Sequence, residues 1–392
     1  MKRRDFIVKS GLSSVGLVAG TSAIYGLSKN IMANDMVNVG VIGTGDRGSG
    51  LIPLLNEIEG INVAACCDVL PFRLEAGLVK TNYKAKGYNH YQKLLDNKDI
   101  DAIVISTPFN THSKIAMDAL DAGKHVYCEK TMAKGLKEID ALVKKAEDTP
   151  KIFQTGHQYH NSKLYKHIVK LIHDGEIGKV VAFDCQWNRN GNWRRPVPKP
   201  DLERAINWRM YREYSGGLTA ELSSHQIDFV YWVLGENPKK IMGVGGVDYW
   251  KDGRETYDNT HLIYEYPSGV KATFKCLTAN ALDDYQIKVQ GDKGTIIIDY
   301  KQAWIYYENG FEKEYGDLDG VSGATINPHS RKAVPIDMPI QDPSKLALRD
   351  FKINILNNKT PISNVHTGAY TAKTVQLSLD AMYQNKIVYW DK

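Results

Sequence analysis

A glycine-rich turn near residue 45 carries the clearest chemical signal in the sequence. It follows the apolar run 37–42 and precedes a segment whose leucines recur at helical spacing. Between a strand and a helix, glycines let the backbone approach a pyrophosphate, and the N–H groups at the helix start attract its charge. The pattern therefore predicts a dinucleotide site formed by Gly43, Gly45, Asp46, Arg47 and Gly48.

Asp68 is the expected partner of that turn. It ends the second apolar run, 61–67, and lies 20 residues after Gly48. A carboxylate at this position accepts hydrogen bonds from the adenosine ribose diol and repels a 2′-phosphate, so NAD is favoured over NADP. Arg73, one helical turn further along, weakens that preference.

Further polar residues follow the next apolar runs. The runs 102–106, 125–128 and 152–155 alternate with helical patterns, which predicts a parallel, doubly wound sheet. Ligands bind beyond the carboxyl ends of the strands in such a sheet. We therefore expect the cofactor site to include Thr107, Pro108, Asn110, His112, Glu129 and Lys130.

The segment 187–214 is rich in tryptophan, tyrosine, arginine and asparagine, and it is the candidate substrate site. Aromatic rings stack on the C–H faces of a sugar while planar polar groups bond its hydroxyls. The alternative is an ordinary loop packed by aromatics. His157 and Tyr159 follow the sixth strand and should border the same cleft, whereas an HxxH pair without an evident third ligand predicts no metal site. The predicted substrate contacts are His157, Tyr159, Trp193, Arg194, Trp208 and Arg209.

The elements that position these residues predict two domains of different class. Strand–helix alternation up to residue 155 indicates an N-terminal Rossmann fold of the α/β class. Strand-like runs after residue 235, separated by turns, indicate a C-terminal α+β domain with an open, mostly antiparallel sheet. Residues 309–345 are interpreted as a long loop and 368–385 as a helix. The predicted domains are 34–155 and 156–392.

Bulk composition excludes several partners. Five basic residues and one acidic residue lie before residue 34, so only +1 of the formal net charge of +5 belongs to the remainder. A near-neutral body gives no electrostatic reason to expect nucleic acid as a partner. The five cysteines have neither disulfide-framework nor zinc spacing, and we interpret them as small buried hydrophobes.

The first 33 residues are interpreted as an export signal. The pair Arg3-Arg4 precedes Phe6 and a weakly apolar stretch that is too short and too rich in glycine and serine to span a membrane. The arrangement resembles a twin-arginine signal, so we expect a periplasmic protein without a transmembrane span in its mature form. Twin-arginine export moves folded proteins, which fits a cofactor acquired before export.

Five stretches together resemble the Gfo/Idh/MocA oxidoreductases: VIGTGDRG, CCD, STPFNTH, GKHVYCEK and GGLTAELSSHQID. With the α+β pattern that follows, the resemblance covers nearly all the chain after residue 36. It implies a homodimer or homotetramer built on the C-terminal sheet. It also implies that Lys130 contacts both substrate and nicotinamide, although Thr131 replaces the proline that family members usually carry there.

The second motif of that family places an acid four residues before a histidine, here Glu221 and His225. A spacing of four puts both side chains on one face of a helix. The resemblance implies that His225 is the general base for the hydroxyl proton, assisted by Lys130. Because glutamate replaces the usual aspartate, we expect Glu221 to orient His225.

These features predict hydride transfer between a sugar, glycoside or polyol carbinol and tightly bound NAD, in the manner of a glucoside 3-dehydrogenase. One alternative is an NAD-dependent glycoside hydrolase that oxidises, eliminates, hydrates and reduces, so that NAD is regenerated. Another is a non-catalytic protein that binds sugar and NAD. The presence of both Lys130 and His225 speaks against the latter.

Overall fold

In the computed structural model, which describes residues 36–308, 310 and 333–390, a six-stranded parallel sheet forms the N-terminal half. Its central strands are largely apolar because helices cover both faces. The order β3-β2-β1-β4-β5-β6 confirms the predicted doubly wound sheet. The strands are β1 (Val37–Ile42), β2 (Ile61–Cys67), β3 (Lys86–Tyr88), β4 (Ala102–Ile105), β5 (His125–Cys128) and β6 (Phe153–Thr155).

Five helices accompany these strands. The first begins directly after the glycine-rich turn, as the leucine spacing predicts. Two of them, α2 and α3, were not part of the sequence prediction. The helices are α1 (Asp46–Asn56), α2 (Pro71–Lys80), α3 (Tyr91–Leu95), α4 (His112–Asp121) and α5 (Leu136–Glu147).

The C-terminal half is built on a nine-stranded sheet. Only the β7–β10 pair is parallel among its described strand pairs, which confirms the mostly antiparallel prediction. The short strands β13, β14 and β15 were not predicted. The order is β14-β13-β12-β11-β7-β10-β9-β8-β15. The strands are β7 (Val180–Asn190), β8 (Lys240–Gly246), β9 (Asn259–Glu265), β10 (Lys271–Leu277), β11 (Ala279–Gly291), β12 (Gly294–Ile298), β13 (Ala303–Tyr307), β14 (Val334–Pro335) and β15 (Val388–Tyr389).

The helices of this half are α6 (Lys163–His173), α7 (Glu203–Ile206), α8 (Ser224–Leu234), α9 (Pro343–Asn357) and α10 (Val365–Tyr383). Helix α9 corrects the loop predicted for 309–345. Its first residues lie inside that span because the Asp342 side chain accepts hydrogen bonds from the N–H groups of Ser344 and Lys345. Helix α10 begins three residues before the predicted start, where Asn364 supplies the same kind of cap.

The last two helices also complete the core of the N-terminal half. On α9, Ala347, Leu348 and Phe351 are buried in the cluster that contains β1 and α1, and the Phe351 ring meets Tyr127 edge-on at 5.7 Å. On α10, Ala369 and Ala372 pack with the N-terminal strands, whereas Leu379 and Met382 pack with the C-terminal sheet. The division at residue 155 stays a prediction.

Several sequence interpretations concern the ends of the chain. The export signal, 1–33, lies outside the described residues, as does most of the loop beginning at 309. In the part of the chain that the structure describes, none of the helices is long and apolar enough to cross a membrane. All five cysteines are buried and free, as expected.

The packing of α9 predicts a large effect of Phe351→Ala on stability. Removing a buried aromatic side chain costs about 3–5 kcal/mol, because a cavity remains between α9 and Tyr127. Ile353→Ala on the exposed face of the same helix should change the free energy of unfolding by about 0.5 kcal/mol or less. Urea denaturation followed by circular dichroism measures both. Equal effects of the two substitutions would contradict the assignment of α9 to this core.

Candidate functional site

The turn between β1 and α1 is shaped for a ligand that approaches the backbone. Gly43 has φ +87°, and a Cβ on Gly48 would lie 1.8 Å from the Gly43 carbonyl oxygen, so neither position admits a side chain without rearrangement. Gly45 precedes α1, and no side-chain hydrogen bond caps that helix. The first N–H groups of α1 are therefore available to an anion.

Asp68 ties the end of β2 to this turn. Its carboxylate accepts hydrogen bonds from the Thr44 and Leu70 N–H groups, each at 2.9 Å. Burial raises the pKa of Asp68, and those two hydrogen bonds oppose the shift. The side chain that is predicted to hold a ribose thus also fixes the shape of the glycine-rich turn.

A cleft of about 1230 Å³ runs from this turn to the segment after β7. Typical ligand pockets occupy roughly 300–1,000 Å³, so the cleft has room for a dinucleotide and a small substrate. Two buried polar atoms beside it, Ser106 Oγ and Asn110 Oδ1, have no hydrogen-bond partner among the described residues. The predicted residues that line it are Gly43, Gly45, Asp46, Arg47, Asp68, Thr107, Pro108, Asn110, Trp193, Trp208, Arg209 and Glu221. These features fit a bound dinucleotide.

Four predicted cofactor residues lie outside the lining of the cleft. Gly48 packs against Gly43, and Lys130 is described below. Both ring nitrogens of His112 lie 2.9 Å from backbone carbonyls, those of Thr107 and Thr131, so His112 joins two loops instead of facing the cleft. Glu129 accepts a 2.6 Å hydrogen bond from Arg47 and therefore orients a residue that does line it.

The sequence analysis missed part of the lining. Residues 89–92, between β3 and the start of α3, form one wall, and Arg204 and Met210 contribute to another. Residues 89–92 could have been identified only by their position after the carboxyl end of a strand. That strand, β3, is only three residues long, so its sequence pattern is too short to recognise.

Lys130 connects the two halves of the molecule. It follows β5, and its Nζ donates hydrogen bonds to the backbone carbonyls of Glu221 at 2.6 Å and Ala220 at 3.2 Å. Its peptide bond to Thr131 is cis. Desolvation of the amine lowers the pKa of Lys130. The negative charges of Glu221 and Glu129 raise this pKa, whereas the positive charges of Arg209 and Arg47 lower it further.

Glu221 lies in a single π-helical turn, Thr219–Ser223, that leads into α8. Its carboxylate accepts a 2.9 Å hydrogen bond from Arg209 Nε. Although burial opposes ionisation, Arg209 and Lys130 hold the pKa of Glu221 below its usual value. The expected orienting contact between Glu221 and His225 is therefore not part of the structure: Glu221 has Arg209 as its partner.

Aromatic rings surround His225 instead. Its ring centroid lies 5.2 Å from that of Tyr159, 5.6 Å from Trp187 and 6.0 Å from His157, and its Nδ1 has no partner among the described residues. Burial lowers the pKa of His225 well below the ordinary value, and the charge of Lys130 lowers it further. His225 is therefore neutral near pH 7 and able to accept a proton.

His157 and Tyr159, like His225 itself, are not among the residues that line the cleft, and they pack around His225. Their direct contact with a substrate stays a prediction. His157 Nδ1 lies 4.0 Å from Asp228 Oδ1, and His160 Nε2 lies 2.8 Å from Asp228 Oδ2. The HxxH pair thus shares one buried aspartate. Among residues 36–308, 310 and 333–390, no group of three metal-ligating side chains could hold a metal ion.

On the substrate side, Trp193, Trp208 and Arg209 line the cleft as predicted, together with Arg189. Arg194 does not. It forms ion pairs with Glu203 and, at 3.4 Å, with Asp252, so it braces the loop that carries Trp193.

The fold agrees with comparisons to known proteins. Residues 37–157 match the model of an oxidoreductase family with an NAD-binding Rossmann fold, and residues 165–297 match the GFO/IDH/MocA C-terminal domain. A levoglucosan dehydrogenase in complex with NADH and levoglucosan superimposes with a TM-score of 0.73 at 16% identity, covering 91% of this chain and 99% of that one.

Two curated relatives span similar parts of the chain. The 2,7-anhydro-N-acetylneuraminate hydratase of Escherichia coli (strain K12) is 26% identical over 68% of this chain and 69% of its own. The myo-inositol 2-dehydrogenase of Thermotoga maritima is 25% identical over 67% of this chain and 75% of its own. With both of its domains matched by models of one family, the chain belongs to the GFO/IDH/MocA oxidoreductases, and its N-terminal domain binds NAD.

Proposed function

We propose that the protein transfers a hydride between a carbinol carbon of a sugar or polyol and tightly bound NAD. One observation carries this proposal: Lys130 Nζ donates hydrogen bonds to the carbonyls of Ala220 and Glu221, in the turn that leads directly into the helix carrying His225. The carbonyls that hold Lys130 belong to the turn whose Glu221 lines the cleft. The names of the inositol and levoglucosan dehydrogenases support the substrate class.

The residues divide the work by their chemistry. When bound, NAD accepts the hydride that leaves the carbinol carbon. His225 accepts the hydroxyl proton, because burial lowers the pKa of its ring and keeps it neutral. Lys130 donates a hydrogen bond to the oxygen that becomes the carbonyl, and Arg47, fixed by Glu129, lies at the pyrophosphate end of the cleft.

Substitution of Lys130 and His225 tests the proposal. Lys130→Met and His225→Asn should each lower kcat for glycoside-dependent NADH formation by about 10²–10⁴-fold, because each removes a group that handles the proton. Lys134→Met is the matched control: Lys134 Nζ also donates to two backbone carbonyls, those of Arg212 and Glu213, but lies outside the cleft. Absorbance at the NADH band measures all three. Unchanged turnover in Lys130→Met would favour a non-catalytic protein that binds sugar and NAD.

A second candidate is a redox-neutral reaction on a glycoside, in which NAD is reduced and reoxidised within one cycle. The name of the hydratase relative favours it, since hydration of a sugar involves no net oxidation. The two candidates differ in their demand for an external electron acceptor. Release of free sugar without any acceptor would identify the redox-neutral reaction, whereas accumulation of one ketosugar per acceptor reduced would identify the dehydrogenase.

Asp68 should determine the choice of nucleotide. Asp68→Asn removes the charge that repels a 2′-phosphate while keeping the size of the side chain. We expect the ratio of the NADP and NAD dissociation constants to fall roughly tenfold or more. We choose the ratio of the two dissociation constants because loss of the hydrogen bond from the Thr44 N–H group would weaken the binding of both nucleotides equally. Fluorescence titration supplies the constants, with Asp174→Asn on the surface of α6 as control. An unchanged ratio would remove Asp68 from the ribose site.

We propose that the mature protein is a homodimer or homotetramer assembled through the nine-stranded sheet. Four large apolar side chains on its strands are exposed: Val181, Val244, Ile263 and Leu282. Exposed apolar groups on one sheet are typical of a surface that becomes buried on association.

We also propose that the protein is exported to the periplasm by the twin-arginine route. The pair Arg3-Arg4 before Phe6 supports this. Replacing both arginines with lysine keeps the charge, so a transport route that reads charge alone should be unaffected. We expect the double variant to remain in the cytoplasm at its precursor mass, as seen by fractionation and immunoblotting. Equal periplasmic amounts of the variant and the wild type would contradict twin-arginine export.

A further inference from the structure

Most arginines that line the cleft are already neutralised by a carboxylate. Such a pair leaves little net charge for a ligand, because the carboxylate offsets the charge of the guanidinium group. The pairs are Arg47 with Glu129 at 2.6 Å, Arg195 with Asp46 at 2.7 Å, Arg204 with Glu213 at 3.1 Å and Arg209 with Glu221 at 2.9 Å.

Arg189 lines the same cleft and has no such partner. Among the described residues, none of the carboxylates lies within ion-pair distance of its half-buried guanidinium. The group lies instead 5.5 Å from the ring centre of Trp187 and 5.6 Å from that of Trp193. Arg73 is also without an ion pair, but it lies over the glycine-rich turn at Gly45, on the cofactor side.

The ring of Trp187 lies near both Arg189 and the proposed catalytic histidine. Residues 187 and 189 share one face of β7, because side chains alternate along a strand. The Trp187 ring is 5.6 Å from His225, and the charge of Arg189 also acts on Tyr159, which contacts the same histidine. A group bound by Arg189 would therefore belong to a molecule that also reaches His225.

The loop on the other side of Arg189 is built to hold Trp193. This residue has φ +67°, a conformation that bulky side chains adopt rarely and only when the surroundings fix it. The fixing contacts come from Arg254, which donates to Asn192, and from Arg194, which pairs with Asp252. The strained backbone keeps an aromatic wall next to the unpaired guanidinium.

We propose that Arg189, with Trp187 and Trp193, forms an anion subsite, and that the substrate is an acidic sugar carrying a carboxylate or a sulfate ester. A planar guanidinium binds either anion through two parallel hydrogen bonds, and the flanking rings exclude water from them. A neutral sugar, which offers only hydroxyl groups, would leave the charge of Arg189 without a counterion. The inference rests on the proposed function, since it names the substrate of that site.

The test compares methyl glucoside with methyl glucuronide and methyl glucoside 6-sulfate. In the wild type, one of the acidic sugars should show a kcat/KM for nucleotide reduction at least tenfold above that of the neutral sugar, and which one does so identifies the anion. Arg189→Gln should lower this value on the order of tenfold to a hundredfold, through KM, and so remove most of the preference for the acidic sugar over methyl glucoside. Arg189→Lys should lie between the two, because it keeps the charge and loses the fork.

Arg212→Gln is the matched control. Arg212 belongs to the same segment and also stacks on an aromatic ring, that of Tyr383 at 3.7 Å, but lies outside the cleft. Its kinetics should equal those of the wild type. Quenching of tryptophan fluorescence by each sugar gives a dissociation constant independent of turnover, because Trp187 and Trp193 flank the subsite.

The outcomes separate the two proposals. If sugars reduce the nucleotide but Arg189→Gln affects neutral and acidic sugars equally, the anion subsite is overturned and the dehydrogenase stands. If the acidic sugar quenches fluorescence in the wild type and not in Arg189→Gln, yet none of the sugars is turned over, the subsite stands and the proposed reaction is overturned. Preference of the wild type for methyl glucoside would also overturn the subsite.

Discussion

The contact of the Lys130 ammonium group with two backbone carbonyls is the constraint on which the site depends. Lys130 comes from the end of a Rossmann strand, and the carbonyls of Ala220 and Glu221 belong to the π-helical turn that begins α8. A π-helical turn is uncommon and is often found at functional sites. Through this contact the nucleotide-binding half sets the position of the helix that carries His225. This side chain therefore helps to hold the proposed catalytic histidine in place relative to the nucleotide-binding half.

Charged side chains around that contact make the burial of Lys130 possible. Desolvation of an amine is costly, and it is tolerated where carboxylates lie nearby. Glu129 and Glu221 supply them, but each is also bound to an arginine, Arg47 and Arg209 respectively. The charges of Arg209 and Arg47 thus oppose those of the two carboxylates, and burial remains the main influence on the pKa of Lys130. A lysine whose pKa is lowered gives up its proton more readily than one on the surface, which suits the proposed oxidation of a hydroxyl group.

Local patterns were predicted well from the sequence, and long-range pairings were not. The glycine-rich turn, Asp68 and the alternation of strands and helices depend on neighbours in the chain, and each lies where the pattern indicates. The signal for α9 was also present, as Asp342 before Pro343 is a cap followed by a favoured first residue, but the glycine and proline nearby obscured it. By contrast, the ion pair of Arg194 with Asp252 and the contact of His112 with the Thr131 carbonyl join residues that only the tertiary fold brings together.

The error about Glu221 shows that a spacing of four residues does not by itself decide which group a side chain contacts. A separation of four residues does place two side chains on one helical face, yet the choice of partner depends on which group arrives from elsewhere in the fold. Glu221 accepts a hydrogen bond from Arg209, whose guanidinium group also stacks 4.2 Å from the centre of the Trp208 ring. Glu221 thereby holds one wall of the substrate cleft. The orientation of His225 is left to packing against Tyr159, Trp187 and His157, so an aromatic cage performs the task that a hydrogen-bonded acid was expected to perform. Because burial among these rings lowers the pKa of His225, the imidazole stays neutral and able to accept a proton.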